Sequence, residues 1–98
     1  MPADQEEIER QYHEMGLETR HQVDKPGTTY EPHRHEGVRL FTITGSAMVR
    51  LDNEPWQPVG PGQELVIGDD QLHEAKVADE PWEYIFAATP EEMKRQGL

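Results

Sequence analysis

The chain has 98 residues and no cysteine, and its 9 lysine and arginine residues against 20 aspartate and glutamate residues give a formal net charge of −11. This length predicts one domain over residues 1–98. A protein with this much negative charge repels phosphate backbones and anionic membrane surfaces. Neither nucleic acid nor a membrane is therefore an expected partner. The absence of cysteine excludes disulfides and thiolate sites. The polar, acidic first residues do not resemble a signal peptide, which predicts a cytoplasmic protein.

The first segment, residues 1–16, is predicted to contain a short helix. Ile8, Tyr12 and Met15 are spaced four and three apart, which places them on one narrow apolar stripe of a helix. Gly16 follows this stripe and is a typical helix-ending residue. We expect the helix to lie on the outside of the body.

Residues 18–87 have the pattern of a β-barrel. Short runs rich in valine, isoleucine, threonine and aromatic residues alternate with glycine, proline, aspartate and asparagine, as in all-β domains. Turns are predicted at 25–27, 45–46, 52–54, 60–62, 68–70 and 79–81. The strands between them predict a meander or Greek-key arrangement.

The last segment, residues 89–98, is predicted to form a C-terminal helix that reaches about Gln96. Thr89 is a typical N-cap, and Pro90 suits the first helical position. Glu91 and Glu92 in the first turn also favour helix initiation. The predicted fold is therefore all-β, with short helices at both ends.

Three histidines form the candidate metal site. His33 and His35 lie in a segment that has the composition of a strand, where alternate side chains share a face and could converge on one cation. His73 alternates with Ala75 and Val77, which predicts an inward-facing ring. Three imidazoles suit Fe, Zn, Ni, Mn or Cu and leave positions open for water or substrate. The alternative is a metal-free protein in which each histidine only makes hydrogen bonds.

The spacing around these histidines resembles that of the cupin superfamily, whose members are small β-barrels with a jelly-roll arrangement. The first cupin motif is a glycine, five residues, His-x-His and, further on, a closing glycine. The matching residues are Gly27, His33, His35 and Gly45. The resemblance implies a small single-domain cupin.

The second cupin motif is matched with substitutions. It has a glycine, a proline, a second glycine, a histidine and often an asparagine at fixed intervals. The residues at these positions are Gly62, Gly68 in the place of proline, Asp70 in the place of glycine, His73, and Val77 in the place of asparagine. Two motifs in the right order imply the cupin fold and its metal site.

The chain departs from the family at the usual glutamate ligand. Counting forward from His35 leads to Arg39, and counting back from the closing glycine leads to Val38, because this loop is one residue short. Glu36, if a bulge turned it inward, and His21 are the alternatives for a fourth ligand. The favoured interpretation is a three-histidine site similar to that of thiol dioxygenases, with one face of the metal open.

Arg39, Phe41 and Tyr84 are the predicted substrate-pocket residues. An inward Arg39 could hold an anionic substrate group through bidentate hydrogen bonds, whereas an outward Arg39 would pair with a surface glutamate. Phe41 and Tyr84 belong to a set of apolar residues of the kind that lines a barrel. Trp82, Tyr84 and Phe86 share one strand face, which a pocket or a dimer contact would explain.

Two functions are consistent with the resemblance. The first is a metal-dependent enzyme, such as a dioxygenase, that acts on a small organic molecule, including an anionic one; isomerase or decarboxylase chemistry is also open. The second is a non-catalytic cupin that binds or senses a small-molecule ligand. A homodimer is expected, because small open barrels must cover their strand edges.

Overall fold

The structure is a computed structural model that describes residues 5–98. The first four residues of the predicted N-terminal segment lie outside the described residues. Helix α1 spans Gln5–Glu14. It ends in a turn where Leu17 N donates to Tyr12 O at 3.1 Å and Gly16 adopts a positive φ of 83°, a conformation that glycine adopts readily.

Eight strands and a second helix follow, and they confirm the predicted all-β fold with helical ends. The strands are Glu18–Asp24 (β1), Thr29–His33 (β2), Val38–Thr44 (β3), Ala47–Leu51 (β4), Gln57–Val59 (β5), Glu64–Ile67 (β6), His73–Val77 (β7) and Trp82–Ala88 (β8). Helix α2 spans Pro90–Arg95. Thr89 is its N-cap, and its side chain accepts a hydrogen bond from Glu92 N.

The strands form two antiparallel sheets, with the order β1-β8-β3-β6 in the first and β2-β7-β4-β5 in the second. The main core lies on the inner faces of these sheets. Its largest aromatic residue, Trp82, is 2% exposed and donates from Nε1 to the buried Thr42 hydroxyl at 3.0 Å. That bond satisfies two polar groups that would otherwise be costly to bury.

The first sheet carries a second, smaller apolar cluster on its outer face. Its outer face carries the fully buried Ile85 and Ala87, which pack with Tyr12 of α1. Phe41 and Ile43 of β3 are partly buried against this second cluster. Alternate residues of β3 therefore meet two different apolar environments.

Strands β1, β2, β5 and β6 are the sheet edges. The predicted homodimer, which would cover such edges, stays a prediction. Within residues 5–98, no helix has both the length and the apolar character needed to span a membrane.

The turn between β3 and β4 gives a test of the fold. Gly45 and Gly62 both have a positive φ, of 77° and 79°, but a Cβ at position 45 would overlap the Pro81 carbonyl, whereas one at position 62 would meet nothing within 4 Å. The conformation alone costs a non-glycine residue about 1–2 kcal/mol. We expect Gly62→Ala to lose about that much free energy of unfolding, and Gly45→Ala to lose at least twice as much. Urea denaturation of both variants measures this, and equal losses would contradict the described packing of this turn.

Candidate metal centre

The pairing of β2 with β7 brings the histidines together. His33, at the end of β2, lies directly opposite His73, at the start of β7. Their ring centroids are 4.1 Å apart, and the ring of His35 lies 4.5 Å from that of His73. One ligand atom from each of the three residues lies within 4.8 Å of the other two. The three predicted metal ligands therefore meet in one cluster.

The path of the chain to His35 differs from the prediction. Strand β2 ends at His33, so strand alternation does not position His35, and a register shift precedes the His33–His73 pair. His35 lies in a loop that is held against residues 69–70. Asp70 N donates to His35 O at 2.9 Å, and Arg34 Nη1 donates to Asp70 O at 2.7 Å. This loop, rather than a strand, directs the ring of His35 into the cluster.

The same hydrogen-bond pattern orients all three rings. Nδ1 of His33 lies 2.6 Å from the carbonyl oxygen of Glu31, and Nδ1 of His35 lies 2.6 Å from that of Glu36. Nδ1 of His73 lies 2.8 Å from the carbonyl oxygen of Gln71. A carbonyl only accepts, so each neutral ring carries its hydrogen on Nδ1. Each Nε2 is then left with a free lone pair.

These lone pairs face one another. Nε2 of His73 lies 3.0 Å from Nε2 of His35, and no hydrogen is left for a bond between the two neutral rings. Two lone pairs at this distance repel unless a cation lies beside them. The separation suits two ligands of one ion, because an imidazole nitrogen lies about 2.0–2.1 Å from zinc. The donor set therefore fits a divalent transition-metal ion.

Burial keeps the deepest of the three rings neutral. His73 is 6% exposed, and burial lowers its pKa below the ordinary value of 6.5, with smaller contributions in the same direction from His33 and His35. A neutral imidazole is the form that binds metal. The buried ring of His73 is therefore in the protonation state that a metal ligand requires.

Neither alternative for a fourth ligand joins the cluster. The Glu36 carboxylate accepts a hydrogen bond from the Thr89 hydroxyl and lies 3.7 Å from Arg95 Nη1. His21 pairs with Glu83 at 2.6 Å on the outer face of β1. Among the described residues, the candidate cluster consists of the three histidines alone.

The histidine rings line a cavity of about 260 Å³. Its walls are mostly aliphatic and aromatic side chains from the inner faces of both sheets. The aliphatic ones are Val38, Leu40, Val49, Leu65 and Ile67. Most of the wall beside the cluster is therefore apolar.

Of the three predicted pocket residues, the structure places only Tyr84 in this cavity. Arg39 points outward, where its Nη1 lies 3.5 Å from Glu64 Oε1. Phe41 packs under α1 on the outer face of the first sheet. The inward positions of β3 are instead Val38 and Leu40. For Arg39 the structure thus shows the outward alternative, in which it pairs with a surface glutamate.

Sequence reasoning missed Tyr30, which lines the cavity, and Asp24, which binds its hydroxyl at 2.6 Å. The two residues flank the predicted turn at 25–27. A turn brings the strands on either side of it close together. The location of Asp24 and Tyr30 on the two sides of this turn was therefore the signal that they could be in contact.

A cavity between two antiparallel sheets, with a cluster of three histidines in its wall, defines a protein of the cupin class. The chain belongs to the family described as the AraC-like ligand-binding domain, whose sequence pattern matches residues 16–92. This family is related to the cupins, so the predicted cupin membership is confirmed. No curated relative matches the sequence.

Solved structures show the same fold. The chain is similar to an RmlC-like cupin with a double-stranded β-helix fold from Methanocaldococcus jannaschii, with a TM-score of 0.68 and 16% identity over 82% of this chain and 75% of that one. It is similar to the DMSP lyase DddQ from Ruegeria pomeroyi DSS-3, with a TM-score of 0.66 and 20% identity over 74% of this chain and 37% of that one.

A third similar structure is the polyketide cyclase RemF from Streptomyces resistomycificus, with a TM-score of 0.66 and 21% identity over 74% of this chain and 53% of that one. The chain thus spans about a third of the lyase and half of the cyclase. At these identities the likeness shows the fold alone.

The lowered pKa of His73 predicts a pH-dependent stability of the metal-free protein. Below pH 6.5, the ordinary pKa of histidine, His73 is protonated in the unfolded chain but remains neutral in the folded protein, where its pKa is lower. The folded state therefore loses stability as the pH falls from 6.5 towards the lower folded pKa. We expect His73→Asn, which keeps a side-chain donor near Gln71 O, to flatten this part of the pH profile. Urea unfolding of chelator-treated protein between neutral pH and about pH 5 measures the slope, and identical profiles would contradict the prediction.

Proposed function

We propose that this protein binds one divalent transition-metal ion through His33, His35 and His73 and holds a small organic molecule beside it. The observation that supports this most strongly is the convergence of three imidazoles whose Nδ1 atoms are all bound to backbone carbonyls. Fe, Zn, Ni, Mn and Cu all suit such a donor set. We further propose that the bound molecule is a substrate and that the reaction is metal-assisted, with dioxygenase chemistry as its most specific form.

The protein's own residues would prepare this site in three ways. The backbone carbonyls fix the tautomer and the direction of each ring, which is the usual role of partners behind a metal ligand. The aliphatic walls limit the access of water to the open side. The ligand set carries no carboxylate, so an anionic group would be attracted to the open side. A bound ion would supply Lewis acidity and a coordination point for oxygen donors.

A non-catalytic ligand-binding protein is the second candidate. The family is described as a ligand-binding domain, and a protein of this kind would use the same cavity without turnover. The similar structures include a lyase and a cyclase, so one fold serves different reactions, and the fold does not decide between the two candidates.

Metal analysis of the purified protein tests the site itself. We expect about one ion per chain in the parent and at least about a tenfold loss of affinity in His33→Ala, His35→Ala and His73→Ala, because two imidazoles seldom hold an ion. His21→Ala is the matched control, since His21 pairs with Glu83 outside the cluster. The measurement is elemental analysis after dialysis against the candidate metals. Equal metal contents in the parent and all four variants would refute the site.

Turnover separates the enzyme from the binding protein. We expect the iron-loaded protein to consume dioxygen with at least one member of a panel of thiols and diketones, and His35→Ala to abolish this consumption. An oxygen electrode measures the rate, and His21→Ala again serves as the control. Tight binding of panel compounds by the metal-loaded protein, with no product detected, would contradict the enzyme and favour the binding protein.

A further inference from the structure

The cavity wall contains a second polar group besides the histidines. Tyr30 Oη donates to Asp24 Oδ2 at 2.6 Å, and Tyr84 Oη donates to the same oxygen at 3.0 Å. Tyr30 belongs to β2, at the edge of the second sheet, whereas Asp24 and Tyr84 belong to β1 and β8 of the first. We call these three residues the acceptor group. It connects the two sheets where both tyrosines line the cavity.

The acceptor group offers lone pairs rather than hydrogens. A carboxylate has no hydrogen to give, so both hydroxyl hydrogens are used toward Asp24. Burial, followed by the hydrogen bond to Asp24, raises the pKa of Tyr30 to about 12, and burial raises the pKa of Tyr84 as well. Both hydroxyls therefore stay protonated at neutral pH. A ligand that approaches them meets oxygen acceptors backed by a negative charge.

The remaining cavity wall favours a cation at this place. None of the described residues that line the cavity is a lysine or an arginine. Aromatic rings are part of the same wall, where the ring of Trp82 lies 4.2 Å from that of Tyr84. Aromatic faces attract cations. An anionic group of a ligand would find no lysine or arginine among the described residues of this wall. An ammonium group would find hydrogen-bond acceptors.

We propose that the acceptor group formed by Asp24, Tyr30 and Tyr84 binds the ammonium group of a small zwitterionic ligand whose carboxylate lies at the histidine cluster. This inference rests on the proposed metal site, which supplies the anion-binding end. A volume of about 260 Å³ is below the usual range for drug-sized ligands, so the ligand is a short aminocarboxylate rather than a large metabolite.

Matched pairs of probes test this proposal. β-Alanine is compared with propionate, and γ-aminobutyrate with butyrate, by calorimetric titration of the zinc-loaded protein. In the better-fitting pair, the amino compound is expected to bind at least about tenfold more tightly, equivalent to about 1.4 kcal/mol. Asp24→Asn should remove this preference while leaving the affinity for the simple carboxylate unchanged. Asp79→Asn, which removes an exposed carboxylate elsewhere, should leave both values unchanged.

Tyr84→Phe is the second variant, because Asp24→Asn could also loosen the contact between the sheets. Tyr84→Phe keeps the ring and removes one hydroxyl, so it should reduce the preference for the amino compound severalfold. If Asp24→Asn does not fold, the result with Tyr84→Phe tests the proposal alone. Equal binding of amine and simple acid by the parent, or a preference that survives in the variants that fold, would overturn the proposal. So would loss of the preference in Asp79→Asn, which would indicate a general charge effect.

The two proposals fail in different ways. A parent protein that binds no metal overturns both. A protein that binds zinc through the histidines but shows no amine preference, or binds neither probe, overturns only the ammonium site. Binding of propionate that is lost in His33→Ala, together with an amine preference that is lost in Asp24→Asn, is the combined result expected.

Discussion

The candidate site depends on one repeated interaction, the hydrogen bond from a histidine Nδ1 to a backbone carbonyl. His33, His35 and His73 each make it, at 2.6 to 2.8 Å, and each is thereby fixed in one tautomer. A single hydrogen bond of this kind is common for a buried or half-buried histidine and would not indicate a metal site. Three of them, oriented so that two Nε2 atoms lie 3.0 Å apart, bring the three ring nitrogens that face away from the backbone to one place. The backbone hydrogen bonds therefore orient the three rings in the way that the proposed metal site requires.

Two local features of the backbone make this interaction possible. The pairing of β2 with β7 sets His33 opposite His73, so these rings are neighbours by register. His35 has no such constraint, and the loop after β2 must place it. Hydrogen bonds to Asp69 and Asp70 supply that constraint: Gly37 N donates to Asp69 Oδ1 at 2.7 Å, and Asp70 adopts a positive φ of 56°. The loop that binds His35 thus belongs to the segment that leads into His73.

The sequence was sufficient to predict the strands, the turns and both helices, because turn residues are local signals. The grouping of the three histidines was predicted from the resemblance to the two cupin motifs, since no local signal connects residues 35 and 73. The sequence was insufficient for the pocket. In β3 both faces are apolar, since α1 covers the outer one, and period-two alternation cannot then tell Phe41 from Leu40. The end of β2 at His33 also breaks the alternation, so the face of Arg39 could not be inferred from that of His35. Tyr84 was placed correctly because Trp82, Tyr84 and Phe86 all point the same way.

The position of Glu36 determines the charge close to the three histidines. This carboxylate is adjacent in sequence to one of the candidate metal ligands, yet Thr89 and Arg95 hold it at the start and the last turn of α2. Arg95 Nη1 also lies 2.9 Å from Glu92 Oε1, and Glu92 is only 2% exposed. A glutamate engaged in this way does not neutralise a cation among the histidines. In the proposed metal-bound site, the positive charge of the ion would be left for the ligand to balance. Asp24, which accepts hydrogen bonds from both cavity tyrosines, would instead balance a positive group of that ligand. A ligand that matches this arrangement carries both charges.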